Sequence, residues 1–160
     1  MSRKGQSKIR NVEPDGVYNN VVVAKIANYA MRDGKKDPSI KQIYLALEIL
    51  KKESKSDDVM VTLEQALENI KPKIEVRPRR IGGAVYQVPT PVRGNRQLSL
   101  AVRWLVTSAR KLSNKQFHSF GEKLATELLA ALKNEGSSVT KRQEVERMAD
   151  ANKAFAHLRW

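Results

Sequence analysis

The chain has 160 residues, no cysteine, and 30 Lys plus Arg against 17 Asp plus Glu, for a formal net charge of +13. That length fits one domain of about 100–200 residues, and the missing cysteine excludes disulfides, Cys-bound zinc and thiol catalysis. So large a cationic excess costs self-repulsion in the folded state, so a polyanionic partner is expected: nucleic acid first, an anionic membrane surface second.

Residues 1–16 carry Arg3, Lys4, Lys8 and Arg10 among few apolar residues and read as a basic arm. The opening "MSRKGQSKIR" is charged and lacks the apolar stretch of a secretory signal. No apolar run approaches the ~18 residues of a membrane span. Residues 17–160 read as a single helical domain.

A first helix is expected in "YNNVVVAKIANYAMRDG", with Asn19 or Asn20 as cap, Val22, Ile26, Tyr29 and Ala30 as its stripe, and Gly34 as its end. Asp37-Pro38 opens a second, with Asp as N-cap and Pro at the first helical position. Its stripe is Ile40, Ile43, Tyr44, Leu47 and Leu50, and Lys51 and Lys52 suit its C-terminal dipole. A third helix begins near Asp57 or Asp58, carries Met60, Leu63, Ala66, Leu67 and Ile70, and stops at Lys71-Pro72.

Residues 73–91 break the helical pattern and read as a two-stranded β-ribbon turning at Gly82-Gly83. A type I′ turn needs positive φ at both central positions, which glycine supplies. Ile81 then faces Ala84, and Pro78, Pro89 and Pro91 all fall at non-hydrogen-bonded positions, where the missing N–H costs no ladder bond. Arg77, Arg79, Tyr86 and Val88 share one face; Arg80 and Gln87 share the other. Arg79 beside Tyr86 suits phosphates and exposed bases, although a cation–π pair that only stabilises the ribbon fits equally. The ribbon is expected to rest on the helices at its base, or to order fully only on a partner.

Leu98, Ala101, Val102, Leu105, Ala109 and Leu112 make one face of a fourth helix. Ser113-x-x-Gln116 is a capping-box pattern for a fifth, burying Phe117, Phe120, Leu124, Leu128 and Leu132, with Gly136 just past its end. Thr140-x-x-Gln143 is a capping box for a sixth, with Val145, Met148 and Ala149 inward, and a tail at 153–160 follows. The fold class is therefore mainly α: a bundle of six helices with one protruding β-hairpin between the third and fourth.

Arg96, Arg103 and Arg110 fall seven apart on the fourth helix, flanked by Arg93 and Lys111. Such a stripe is often only a solvated face. Here no Asp or Glu lies between Glu75 and Glu122, so i±4 ion pairs do not explain it and nucleic acid does. Lys35 and Lys36 sit on a helix-end turn. Lys141 and Arg142 are expected in the first turn of the sixth helix, the wrong end for its dipole, a cost tolerable if they meet phosphate. His118 and His157 are far apart in sequence, no metal-ligand spacing occurs, and Gly82-Gly83 lacks the Lys-Ser/Thr of a P-loop. An enzyme is not expected, nor a cofactor. A helix-turn-helix DNA regulator or a membrane-surface protein are the rival binding readings.

"DGKK", "ALENIKPKIEVRPRRIGGAVYQVP", "AVRWLV…ARK" and "MADANKAFAHLRW" closely resemble the bacterial-type small-subunit ribosomal protein seven family, over nearly the whole chain. The resemblance implies six helices with one ribbon, and a primary rRNA binder that nucleates assembly of the small-subunit head by gripping the 3′ major domain. It implies rRNA contacts for Arg3, Lys4, Lys8, Arg10, Lys35, Lys36, Arg77, Arg79, Arg80 and the fourth-helix stripe. It also implies that the ribbon tip, Arg79, Gly82, Gly83 and Tyr86, points toward exit-site tRNA. The tail, with Lys153, His157, Arg159 and Trp160, would lie near mRNA, tRNA or ribosomal protein eleven, with protein nine as a second neighbour. The implied location is the ribosome, in a bacterial cytoplasm on the expectation of no presequence, with an organelle left open.

Overall fold

The computed structural model describes residues 11–54 and 58–159. Arg3, Lys4, Lys8, Arg10 and Trp160 therefore lie outside the described residues.

Helix α1 spans Val21–Ala30, and Asn20 caps it by accepting a 2.7 Å hydrogen bond from the Val22 N–H. Its buried face is Val23, Ala24, Ile26 and Ala27; of the expected stripe Ile26 is fully buried, Val22 and Ala30 pack half-buried against the core, and Tyr29 stays 37% exposed. The small alanines let the next helix approach closely: Ser39 Oγ donates to the Ala27 carbonyl at 2.9 Å. Helix α2, Lys36–Ser54, begins before Asp37-Pro38. Asp37 thus occupies the first turn, where the dipole favours an acid, rather than the cap. Helix α3, Val59–Ile70, is capped by Asp58, and Lys71 turns extended ahead of Pro72.

Strands β1 (Ile74–Ile81) and β2 (Ala84–Pro91) pair antiparallel, with Ile81 opposite Ala84, Arg79 opposite Tyr86 and Pro78 opposite Gln87. Gly82 and Gly83 have φ of 56° and 89°, as a type I′ turn requires. The Val92 N–H donates to the Lys73 carbonyl at 3.1 Å, which makes Lys73–Val92 a bonded pair. Counting up the ladder by alternation, all three prolines fall in the non-bonded class. The register expected from the prolines is the one observed.

The ribbon does more than rest at its base. Glu75, Val88 and Thr90 are buried, so the face carrying Arg77, Arg79, Tyr86 and Val88 is the inner one. It lies against the last α-helix and the C-terminal segment. Tyr86 meets Phe155 with ring centroids 5.4 Å apart and ring planes tilted by 56°, a separation within the range of favourable aromatic pairs. Pro78, Arg80, Val85 and Gln87 face outward and are exposed.

Helix α4, Gly94–Lys111, buries Leu100, Ala101, Val102, Leu105, Val106 and Ala109. Helix α5, Phe120–Leu132, lies among α2, α3 and α4. It starts later than expected, leaving Phe117 outside it and half-buried. Ser119 is the N-cap and accepts from the Glu122 N–H, while Glu122 accepts from the His118 N–H. The true start lets Gly121 press on α2, where a Cβ would come within 2.7 Å of the Gln42 carbonyl oxygen.

Helix α6, Ser137–Ala151, starts three residues before Thr140. Asn134, at φ 59°, takes the left-handed position after α5. Gly136, at φ 94°, is the residue entering α6 rather than the cap ending α5. The acceptor for α6 comes from another helix: Glu127 accepts from both the backbone N–H and the hydroxyl of Ser138, each at 2.7 Å. Of the residues expected inward, Ala149 is buried, Val145 is half-buried and Met148 is 50% exposed. The tail folds as a 3₁₀ turn over Lys153–Leu158 against β2. Among the described residues no helix is long and apolar enough to cross a membrane.

Candidate nucleic-acid interface

Arg93, the N-cap residue of α4, and Arg96, Arg103, Arg110 and Lys111 on the helix are all exposed, opposite the side that fills the core. Three of them are held in place. Arg110 Nη2 donates to the Ala30 carbonyl at 2.8 Å, on the last residue of α1. The Arg103 guanidinium lies 6.0 Å from the Tyr29 ring centroid, within cation–π range. Arg96 Nε reaches Glu75 at 3.1 Å. The stripe therefore runs from the foot of the ribbon to the turn between α1 and α2.

That turn carries Arg32, Lys35 and Lys36. Asp33 and Gly34 have positive φ, and Lys35 N bonds the Arg32 carbonyl at 2.9 Å. Arg32, Lys35, Arg110 and His118 line one cleft of about 470 Å³. Burial, and then the charge of Arg32, pulls the Arg110 guanidinium below its usual range. Arg32 escaped the sequence reading, although it stands one residue ahead of the quoted "DGKK".

At the ribbon, Glu75 gathers two guanidiniums. One of its oxygens takes Arg77 at 2.6 Å and the other takes Arg96 at 3.1 Å. Sequence spacing hid this: Glu75 is the acid that opens the acid-free run, yet it sits 21 residues from Arg96. Arg80 is exposed on the outward face near the Gly82-Gly83 tip, while Arg79 and Tyr86 are half-buried on the inner one.

Lys141 and Arg142 lie in the second turn of α6, with acidic neighbours. Lys141 pairs with Glu144 at 2.8 Å, and Arg142 approaches Glu146 at 3.8 Å with its side chain 22% exposed. Lys141 shares a second cleft, of about 620 Å³, with Lys111 and Trp104. Arg142 belongs more to the packing between α6 and the ribbon, because Glu146 also receives the Lys73 N–H at 3.4 Å. Lys153, His157 and Arg159 are exposed on or just after the 3₁₀ turn. The Tyr86–Phe155 contact joins that turn to the ribbon, so two groups about 70 residues apart form one surface.

Two carboxylates tie the framework down. Asp15 is 8% exposed and accepts from the Tyr44 hydroxyl at 2.8 Å and from the N–H groups of Val17 and Tyr18. Burial alone would raise both acids. Hydrogen bonds, from Tyr44 to Asp15 and from Arg77 and Arg96 to Glu75, outweigh it and hold both below the usual carboxylate range. A depressed folded pKa gives stability that is present above the unfolded value, about 4 for these acids, and is lost as pH falls through the folded value. The unfolding free energy should therefore be level from about pH 6 to pH 8 as far as these two acids set it, and should drop below about pH 4. Urea melts at stepped pH check this, and Asp15→Asn should flatten part of the acid limb.

Among the described residues no group of three His, Asp or Glu is placed to hold a metal ion. Across residues 2–153 the chain matches the family model described as ribosomal protein S7p/S5e. It is 52% identical to small ribosomal subunit protein uS7 of Thermodesulfovibrio yellowstonii and 49% identical to that of Sulfurihydrogenibium sp., over 160 residues and the full length of each chain. It is 51% identical, again over full length, to the uS7 of Caldanaerobacter subterraneus. A model match over nearly the whole chain, with relatives at about half identity and equal length, places this basic helical protein in the S7p/S5e family of ribosomal proteins.

Proposed function

We infer that the chain is a structural, non-enzymatic constituent of the small ribosomal subunit and acts in translation by binding rRNA. The observation that carries this is a single cationic surface. It runs from the α1–α2 turn, along α4, to the ribbon, and the carboxylate of Glu75 at the foot of the ribbon is covered by two arginines. Phosphate neutralisation supplies the affinity, and the shape of a folded RNA junction supplies the specificity, with few base-edge contacts.

The partner is the 3′ major domain, and binding there nucleates the head of the subunit. The ribbon tip and the 3₁₀ turn face exit-site tRNA and mRNA. Ribosomal proteins nine and eleven are the neighbours, and the chain resides on the ribosome. Support for these finer statements is the family and the joining of tip and C-terminal turn through Tyr86 and Phe155.

A competition assay tests the reading. The 3′ major domain transcript should displace labelled transcript far more effectively than duplex DNA of equal length or anionic vesicles. Preference for duplex DNA would favour a regulator with a groove-reading helix, and capture by vesicles would favour a membrane-surface protein.

A further inference from the structure

Within the rRNA-binding reading, on which this rests, we propose that Glu75 is a positioning residue. An acid at the interface presents Arg77 and Arg96 as one rigid pair toward two RNA phosphates.

On charge alone, Glu75 is in the wrong place. It opens a run with no Asp or Glu from 76 to 121, at the junction of two elements that carry three arginines each. An exposed carboxylate there would repel phosphate. It is not exposed: its side chain is 10% accessible, against 52% for Arg77 and 49% for Arg96. The carboxylate is covered and the cations are presented.

The geometry divides the work. Oε1 takes Arg77 through Nε and Nη2, both at 2.6 Å, and Oε2 takes Arg96 through Nε at 3.1 Å. A guanidinium has five N–H donors in a fixed plane, so Glu75, which takes two nitrogens of Arg77 and one of Arg96, does not exhaust either fork. Without Glu75, the two like charges would repel and each side chain would sample several rotamers. Ordering them would then fall on the binding step, which lowers affinity.

The acid also sets where the pair stands. Glu75 faces Thr90 across the ribbon, and Thr90 Oγ1 donates to the Glu75 carbonyl at 3.3 Å. Arg77 is on β1 and Arg96 is in the first turn of α4. One carboxylate thus fixes the ribbon against α4, so a phosphate at each arginine is gripped at a set separation.

The test is the isosteric change Glu75→Gln, measured by binding to the 3′ major domain transcript over a salt series. It raises net charge by one, so electrostatics alone predicts tighter binding. Positioning predicts the opposite: affinity lower by about fivefold or more, and a salt slope shallower by about one. Glu75→Asp provides a second arm, because it keeps the charge and withdraws it by one methylene. It should weaken binding in the same direction.

The third arm separates positioning from folding. In an Arg77→Ala, Arg96→Ala background, Glu75→Gln should no longer lower affinity. Equal or tighter binding by Glu75→Gln or Glu75→Asp would overturn the proposal, as would an undiminished loss in the double-alanine background. If the unaltered chain bound the transcript without salt dependence, the rRNA reading itself would fall first.

Discussion

Glu127→Ala is expected to lower the unfolding free energy by about 3 kcal/mol. Glu127 is 3% exposed and Ser138 is fully buried. One carboxylate oxygen takes both the N–H and the hydroxyl of Ser138 at 2.7 Å. Hydrogen bonds to a charged group contribute about 1.5–3 kcal/mol, and the orphaned donors would have no water to turn to. Gly136, the residue entering α6, has no side chain to cap it, so Glu127 is the N-terminal anion that the α6 dipole meets.

The size of the effect follows from burial. Lys141–Glu144 is an ion pair about half exposed on both sides, and such pairs contribute only about 0–1 kcal/mol. Glu127 compares instead with truncation of a buried Leu, about 2–5 kcal/mol. A loss of about 3 kcal/mol corresponds to a Tm lower by about 6–12 °C for a chain of this size. Thermal melts by circular dichroism check it, and a shift under about 2 °C would show that α6 does not depend on this cap.

The second large effect is on binding. Replacing Arg93, Arg103 and Lys111 together with alanine should weaken rRNA binding by about 10²-fold or more at moderate salt. All three are exposed, and Arg103 gives up only a cation–π contact of about 0.5–1 kcal/mol. Relief of self-repulsion offsets part of that, so the melting temperature should hardly move. A triple variant that bound as tightly as the parent would remove α4 from the interface. A variant that unfolded would make the stripe structural.

The ribbon was largely legible in the sequence because its constraint is local. Pro78, Pro89 and Pro91 can all avoid the ladder in one register, and that register is observed. The helical cores of α3 and α4 were legible for the same reason: apolar periodicity and a cap at Asp58 act within one element. What escaped was set by distant partners. Ser113-x-x-Gln116 and Ser119-x-x-Glu122 are nearly the same local signal, and the choice falls to Gly121 against Gln42 and to Lys123. Lys123, 6% exposed, donates to the Leu112 carbonyl and to Asn114. The start of α6 depends on Glu127, supplied by α5. Which face of the ribbon turns inward was not legible, because Phe155, the partner of Tyr86, lies 69 positions beyond it.

The same division holds for the site. The periodic stripe at Arg96, Arg103 and Arg110 was readable, but its anchors, Glu75, Tyr29 and the Ala30 carbonyl, come from elsewhere in the chain. Lys141 and Arg142 looked like free cations at a helix start. The earlier start of α6 puts them beside Glu144 and Glu146 instead.

On the proposed function, affinity comes from phosphate neutralisation by a folded cationic surface. The most direct test is the dissociation constant of the full chain on the 3′ major domain transcript, measured from 50 to 200 mM salt. With about 6–10 phosphates contacted, affinity should fall by roughly 10³–10⁵ over that range, linearly in log–log form. A dissociation constant that stays level across the series would contradict phosphate neutralisation as the source of affinity.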